Sequence, residues 1–234
     1  MTVIALVLAA GEGLRLQQEV PKAWVRVAGR SLLDWSASAL ARAAEVDAVL
    51  PVIPARRHPA MEELRQSWRG PAQLLEPVEG GPTRQASMQR GLEAARRQLS
   101  SLEWVVVHDA ARPCVEPSDV EAVLAAARLT GAALPVVPVA DTVKELEDER
   151  VLRTLDRSSL GLAQTPQAFR LRILLQALEK ATSDGFTGTD CAVLVERLGV
   201  AVRTCAGRVE NLKLTHPADL ARVAALLKPR IGAS

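Results

Sequence analysis

The start of the chain constrains the fold most strongly, because an apolar run leads directly into a glycine-containing loop. Val3 to Val7 is continuously apolar, and Leu8-Ala9-Ala10-Gly11-Glu12-Gly13-Leu14-Arg15 follows, with Lys22 seven residues further on. Gly11 and Gly13 can adopt positive φ and carry no side chain, so backbone N–H groups can approach an anion that Arg15 and Lys22 neutralise. The segment predicts a buried strand that ends in a phosphate loop; the alternative is a tight strand-to-helix turn.

Two better-known glycine loops do not fit this segment. A Walker A loop requires Gly-Lys-Ser/Thr after a longer spacing, and a dinucleotide fingerprint requires a third glycine at the position of Leu16. The loop therefore indicates a nucleoside triphosphate site of another kind.

Length and charge limit the class of protein. A chain of 234 residues with 48% apolar content fits one α/β domain over residues 1–234. A net charge of +2 provides no general field for nucleic acid or membranes, so we expect neither as a partner. Three cysteines without close spacing predict reduced thiols, and neither a leader peptide nor a membrane-spanning run is visible, so we expect a cytoplasmic protein.

Apolar periodicity alternates between strands and helices along the chain, which predicts a doubly wound α/β sheet. The predicted strands after the first are 46–53, 103–108, 133–139 and 200–205, and the predicted helices are 31–44, 61–68, 84–99, 118–130, 171–182, 190–198 and 217–227. Ser31 is the predicted N-cap of the first helix, with Asp34 completing a capping box.

One stretch breaks this alternation. Residues 141 to 157 contain two β-prone segments around the acidic turn 147–149, which predicts a hairpin that projects from the sheet. A two-stranded hairpin is marginally stable alone, so we expect this arm to pack on a second subunit.

Polar clusters lie where the predicted strands end, which is where open α/β sheets bind ligands. Besides the first loop they are 80–87, 108–113 and 210–215. The first of these is a helix N-terminus that binds a base or phosphate, or a simple helix cap. The second places Asp109 beside Arg112, as an ion pair or a ligand site, with His108 a hydrogen-bonded structural residue. The third is predicted to be a short strand that presents Lys213.

The ordered set of these motifs resembles the 2-C-methyl-D-erythritol 4-phosphate cytidylyltransferase family. The resemblance runs from about Val3 to Leu227 and rests on the following segments: the first loop with Pro21-Lys22, Gly-Gly-x-x-Arg-x-x-Ser at 80–87, His-Asp-Ala-Ala-Arg-Pro at 108–113, Asp156-Arg157, Thr165-Pro166-Gln167, Thr189-Asp190 and Asn211-Leu212-Lys213-Leu214-Thr215.

The resemblance implies a homodimer with a Rossmann-like sheet and a hairpin arm at about 141–157. It implies an enzyme of nonmevalonate isoprenoid synthesis, which transfers CMP from CTP to 2-C-methyl-D-erythritol 4-phosphate and releases pyrophosphate. Its catalytic residues would be Arg15, Lys22, Arg157 and Lys213. CTP would be bound by Ala9, Ala10, Gly11, Gly13, Gly81, Ser87 and Asp109. The acceptor would be bound by Arg112, Thr142, Arg157, Thr165, Thr189 and Lys213. Mg²⁺ would bridge the phosphates, with Asp109 the candidate protein ligand.

Two residues depart from the family pattern. Pro82 replaces an acidic residue, which puts a ribose contact in question, and Glu210 replaces an aspartate before Asn211. Two alternative functions stay open: a ribitol-5-phosphate or other polyol-phosphate nucleotidyltransferase, which would keep the CTP side, and a nonenzymatic nucleotide-binding regulator, which would not need Arg157 and Lys213.

Overall fold

The computed structural model describes residues 1–11, 13, 16, 20–54 and 58–228. Its strands are β1 Thr2–Leu8, β2 Arg26–Val27, β3 Arg30–Ser31, β4 Ala48–Ile53, β5 Gln73–Leu74, β6 Val78–Glu79, β7 Leu102–Asp109, β8 Ala132–Pro138, β9 Val143–Glu147, β10 Arg150–Leu155, β11 Gly161–Ala163, β12 Gln167–Arg170 and β13 Arg203–Ala206. Its α-helices are α1 Leu32–Ala41, α2 Pro59–Ser67, α3 Arg84–Gln98, α4 Pro117–Thr130, α5 Leu171–Ser183, α6 Ala192–Glu196 and α7 Asp219–Leu227.

A mostly parallel sheet forms the centre of the molecule, in the order β11-β8-β12-β7-β1-β4-β5, with β13 beside β8 and β6 beside β4. β1 pairs in parallel with β4 and β7, whereas β12 and β11 run antiparallel to their neighbours. The predicted α/β sheet is therefore confirmed, and β1 lies at its middle, where its carboxyl end meets that of β7.

The side chains of β1 alternate between two apolar layers, as the period of two in a strand requires. Val3, Ala5 and Val7 pack with α1, α2 and α4, whereas Ile4 and Leu6 pack with α3, α5 and α6. Helices cover both faces of the sheet, which explains why the strand is apolar without interruption.

The predicted hairpin is present. β9 and β10 pair antiparallel in a sheet of their own, joined through a turn in which Asp148 has φ of 52°. Leu146, Val151 and Leu152 on it are more than half exposed.

Some sequence predictions of local structure were wrong. Residues 210–215, predicted as a strand, have no regular structure, because their backbone makes an isolated bond from Leu214 N–H to the Ala111 carbonyl instead of a ladder. Ser31 does cap α1, but the Asp34 carboxylate binds Arg30 and not the cap backbone. The closing helix begins at Asp219, two residues after Pro217.

None of the three cysteines forms a disulfide; Cys114 and Cys191 are buried and Cys205 is half-buried. None of the helices in the described ranges has the length and apolar character needed to cross a bilayer.

Candidate active site

A cavity of about 650 Å³ opens at the carboxyl ends of β1 and β7. It is lined by Leu8, Ala9, Ala10, Gly11, Gly13, Lys22, Ala23, Gly81, Pro82, Thr83, Arg84, Ser87, Asp109, Ala110, Ala111 and Lys213. The sheet thus brings together residues from all four predicted clusters. Three described lining residues are cationic and one is acidic, so the cavity suits a polyanion.

The loop after β1 forms one wall of the cavity. Gly13 has φ of 71°, and a Cβ added there would lie 2.5 Å from the Lys22 Cβ. Only glycine fits this conformation and contact without strain. Lys22 begins a single 3-10 turn at Lys22–Trp24, whose Ala23 and Trp24 are buried. The predicted Arg15 lies outside the described residues.

The loop before α3 forms the opposite wall. Thr83 caps α3 by accepting a hydrogen bond from Ala86 N at 3.0 Å, so the helix N-terminus opens onto the cavity. The Ser87 hydroxyl lies 3.1 Å from the N–H of Gly81, from which it accepts a hydrogen bond. A Cβ on Gly80 would lie 2.2 Å from the Ala10 Cβ, so the two walls approach closely here.

Asp109 lies between two cations at the end of β7. Arg84 Nε is 3.0 Å from one carboxylate oxygen, and Lys213 Nζ is 2.7 Å from the other. Although burial alone would raise it, the pKa of Asp109 is held well below its usual range by Arg84 and Lys213. The ion pair predicted for Asp109 therefore exists, but with these partners and not with Arg112, whose guanidinium donates to the backbone carbonyl of Asn211 at 2.7 Å.

Arg84 is a cavity residue that the sequence analysis did not assign to the site. Its Nη1 lies 3.2 Å from Cys191 Sγ, while its Nη2 is buried and has no hydrogen-bond partner among the described residues. Burial lowers its pKa, but Cys191 and Asp109 more than offset this and raise the pKa above its ordinary value. A signal was present, since the positive end of the helix dipole disfavours a cation in the first turn of a helix. Arg84 at the first position of α3 therefore requires a nearby anion.

The remaining predicted acceptor residues do not line the cavity. Thr165 is buried and engaged in hydrogen bonds below Asp109, and Thr189 is exposed in the loop before Cys191. Thr142 and Arg157 are exposed at the base of the hairpin, where the Arg157 guanidinium donates to the Ala140 carbonyl. Their substrate contacts stay predictions.

His108 is buried completely, and burial lowers its pKa to about 4. Both ring nitrogens have hydrogen-bond partners, so the expected structural role is confirmed. In the described ranges, no three His, Cys, Asp or Glu side chains cluster as metal ligands would.

Comparisons with known proteins agree with this geometry. The family model described as 2-C-methyl-D-erythritol 4-phosphate cytidylyltransferase matches residues 3–229. A relative of that description from Syntrophus aciditrophicus (strain SB) is 40% identical over 234 residues, which cover 98% of this chain and 97% of the relative.

Two solved structures share the fold. The crystal structure of 2-C-methyl-D-erythritol 4-phosphate cytidylyltransferase from Thermus thermophilus has a TM-score of 0.77 at 39% identity and covers 97% of this chain and 100% of that one. The structure of 4-diphosphocytidyl-2C-methyl-D-erythritolsynthase from Anaerococcus prevotii has a TM-score of 0.83 at 27% identity, over 97% and 98% of the chains.

Proposed function

The chain belongs to the 2-C-methyl-D-erythritol 4-phosphate cytidylyltransferase family, and from this premise we propose how its residues perform the reaction. The enzyme transfers CMP from CTP to 2-C-methyl-D-erythritol 4-phosphate in isoprenoid synthesis. A phosphate oxygen of the acceptor attacks the α-phosphorus of CTP, the bond from that phosphorus to the bridging oxygen breaks, and pyrophosphate leaves. The observation that carries the proposal is the cationic cavity at the ends of β1 and β7.

The main obstacle to this reaction is repulsion between two polyanions. An ionised phosphate needs no general base, so catalysis is positioning together with stabilisation of negative charge on the α-phosphate. His108 is unsuited to be a base, since both its nitrogens are occupied below the cavity. Lys22, with Arg15 from the same loop, is assigned to the triphosphate and its transition state.

The nucleotide side lies between the two glycine-containing loops. Backbone groups of Ala10 and Gly81, together with the Ser87 hydroxyl, are assigned to the cytosine and ribose. The close approach of Gly80 to Ala10 narrows this part of the cavity, which supports a pyrimidine over a purine. Ala9, Gly11 and Gly13 complete the loop that holds the phosphates.

Mg²⁺ is proposed to enter with CTP, held mainly by phosphate oxygens, as a hard cation with few protein ligands. It would neutralise part of the phosphate charge. Asp109 is the one carboxylate among the described lining residues, and its two oxygens already face Arg84 and Lys213. These contacts make Asp109 at most an auxiliary ligand.

The acceptor side is assigned to the cluster around Asp109. Lys213 is 42% exposed at its side chain and can turn from Asp109 to a phosphate. Arg112, Thr165 and Thr189 do not line the cavity, and their assignment to the acceptor rests on the resemblance to the family.

We also propose that the hairpin makes the enzyme a homodimer. Its apolar residues are exposed in one chain, and a second copy is the occupant that would bury them: Leu146 is 62%, Val151 58% and Leu152 57% exposed. Arg157 and Thr142 would then serve the partner's site. The cytoplasmic location stays a prediction from composition.

The function is tested by pyrophosphate release with CTP or ATP and a panel of methylerythritol, erythritol and ribitol phosphates. We expect release to depend on methylerythritol phosphate and to be strongly reduced with ATP. Equal rates with ribitol phosphate would contradict methylerythritol phosphate as the preferred acceptor, and equal rates with ATP would contradict the assignment of the base pocket. No release with any acceptor would contradict the proposed enzymatic activity.

The arm is tested by co-expressing Lys22→Ala and Arg157→Ala chains, each inactive alone. If Arg157 acts across the interface, each mixed dimer has one site with both defects and one intact site. Random pairing makes about half of the dimers mixed, so activity should return to roughly a quarter of wild type. Mixed dimers without recovered activity would show that Arg157 acts within its own chain.

A further inference from the structure

His108, at the end of β7, has a fully buried ring with a hydrogen-bond partner at each nitrogen. Its Nε2 lies 3.1 Å from the Arg112 carbonyl oxygen, and its Nδ1 lies 3.1 Å from the Thr165 hydroxyl. The same hydroxyl accepts a hydrogen bond from Asp109 N, also at 3.1 Å. The ring therefore connects the loop after Asp109, which carries Arg112, to the loop before β12, which carries Thr165.

In a neutral ring, these partners determine which nitrogen carries the proton. A carbonyl oxygen only accepts, so the nitrogen that faces Arg112 must be a donor. A neutral ring protonated on Nε2 has a bare Nδ1, which can only accept. The Thr165 hydroxyl must then donate its proton to Nδ1 while it accepts from Asp109 N.

We propose that His108 is a positioning residue, which as a neutral imidazole protonated on Nε2 fixes the direction of the Thr165 hydroxyl and the backbone that carries Asp109. The chain of donors runs from Asp109 N to Thr165, from Thr165 to His108, and from His108 to Arg112.

One consequence concerns Thr165 itself. Its proton is donated to His108 Nδ1, and one of its two lone pairs accepts the hydrogen bond from Asp109 N. The hydroxyl has only one lone pair left, so towards a substrate it acts as an acceptor. It can accept from a hydroxyl of a polyol, but it cannot donate to a phosphate dianion. Thr165, which is buried outside the cavity lining, is therefore not a phosphate ligand, and the phosphate is left to the cations.

The network also reaches the segment that carries Lys213. The Asn211 amide donates to the Thr165 carbonyl at 2.9 Å, and the Asn211 carbonyl accepts from Arg112 at 2.7 Å. The segments that carry Asp109 and Lys213 are therefore both hydrogen-bonded to Thr165 and Arg112. His108 is in turn hydrogen-bonded to these two residues.

The surroundings of the ring keep it neutral. The ring is completely buried, and the nearby guanidinium groups of Arg112 and Arg84 disfavour a positive charge on it. Protonation of Nδ1 would also turn the Thr165 hydroxyl around.

Nuclear magnetic resonance of protein labelled with ¹⁵N-histidine tests the tautomer directly at pH 7. The chain has three histidines, so spectra of His58→Asn and His216→Asn identify the His108 signals. We expect one protonated nitrogen, Nε2, and one bare nitrogen, Nδ1. A ring protonated on Nδ1, or on both nitrogens, would overturn the proposal.

Two substitutions separate positioning from general structural support. An asparagine amide ends at the level of Nδ1 and can still accept from Thr165, whereas a glutamine amide reaches the level of Nε2 and keeps only the Arg112 contact. For His108→Gln we expect kcat/KM for the acceptor to fall about tenfold, as for one lost hydrogen bond, with the Kd of CTP unchanged. His108→Asn should stay within about threefold of wild type on the same scale.

His216→Asn, which changes an exposed histidine, is the matched control. Equal losses in the two His108 variants, or equal losses for CTP and the acceptor, would overturn the positioning role. The kinetic test rests on the proposed function, whereas the tautomer test does not. An inactive wild-type protein with the expected tautomer would therefore contradict the function and leave the role of His108 standing.

Discussion

Replacing Arg84 with glutamine tests how much the ion pairs of Asp109 with Arg84 and Lys213 stabilise the folded protein. The substitution removes a cation whose Nε lies 3.0 Å from Asp109 Oδ1, in a pair with side chains only 24% and 11% exposed. Removing one partner of a fully buried ion pair lowers the free energy of unfolding by about 3–5 kcal/mol. Lys213 remains 2.7 Å from the other carboxylate oxygen and limits the loss. We therefore expect Arg84→Gln to lower the free energy of unfolding by about 2 kcal/mol, close to the contribution of one hydrogen bond to a charged group.

This loss should depend on pH in a defined direction. The pKa of Asp109 in the folded protein is held below its ordinary value of 3.8 by Arg84 and Lys213, against the effect of burial. A lowered folded pKa contributes stability that is fully present above the unfolded value and is lost as the pH falls through the folded value. The difference between wild type and Arg84→Gln should be constant from pH 8 to pH 5 and should shrink below about pH 4.

The assay is urea unfolding followed by tryptophan fluorescence for wild type, Arg84→Gln, Asp109→Asn and the double variant. We expect a coupling energy of about 2 kcal/mol between the two residues. The loss of about 2 kcal/mol for Arg84→Gln alone corresponds, for a chain of this size, to a melting shift of about 4–8 °C. Arg90→Gln on the same helix is the matched control, since that side chain is exposed and contacts only the Gly80 carbonyl in the described structure. A coupling within about 0.5 kcal/mol of zero would refute the argument.

Three further predictions concern the reaction. Lys22→Ala should lower kcat by about 10²–10³ with little change in CTP affinity, because its charge acts mainly in the transition state; a change in KM alone in steady-state kinetics would contradict this. Lys213→Ala should raise the KM of the acceptor and leave CTP binding by calorimetry nearly intact, and a loss of CTP binding would move Lys213 to the triphosphate side. Gly13→Ala should destabilise the loop by about 1–2 kcal/mol and lower kcat, because its φ is 71° and the new Cβ would lie 2.5 Å from the Lys22 Cβ. Gly11→Ala, where a new Cβ would meet no atom of the described residues within 4 Å, should leave the stability of the loop nearly unchanged, and equal losses of stability in these two variants would show that the contact with Lys22 is unimportant.

Local patterns predicted the parts of the site that depend on one strand and the loop after it. The apolar run before Ala9 and the run before Asp109 both formed central strands, and their carboxyl ends meet because β1 pairs in parallel with β7. The helix N-terminus after Gly81 was likewise predicted from the glycines that precede it.

Contacts between segments far apart in the chain were harder to predict from the sequence. Arg84 and Asp109 are 25 residues apart, and nothing in either motif identifies the other as its partner. β12 was not predicted, since its four residues hold only Ala168 and Phe169 as apolar members, and its place between β7 and β8 follows from antiparallel pairing. Lys213 lines the cavity although its segment is not a strand, because its position depends on the hydrogen bond from Leu214 N–H to the Ala111 carbonyl.

The arrangement around Asp109 explains how a cavity for polyanions is stable before any substrate arrives. Lys22, Arg84 and Lys213 line one space, and without an anion their mutual repulsion would favour side chains turned out to solvent. Asp109 holds two of them in place. Arg84 is the less exposed and also contacts Cys191, whereas Lys213 is 42% exposed and pairs with Asp109 alone among the described residues. An arriving phosphate can therefore bind Lys213 in place of Asp109 with little reorganisation, while Arg84 still neutralises the Asp109 carboxylate. The single acidic residue among the described lining residues thus pre-organises the cations of the cavity instead of opposing the ligand.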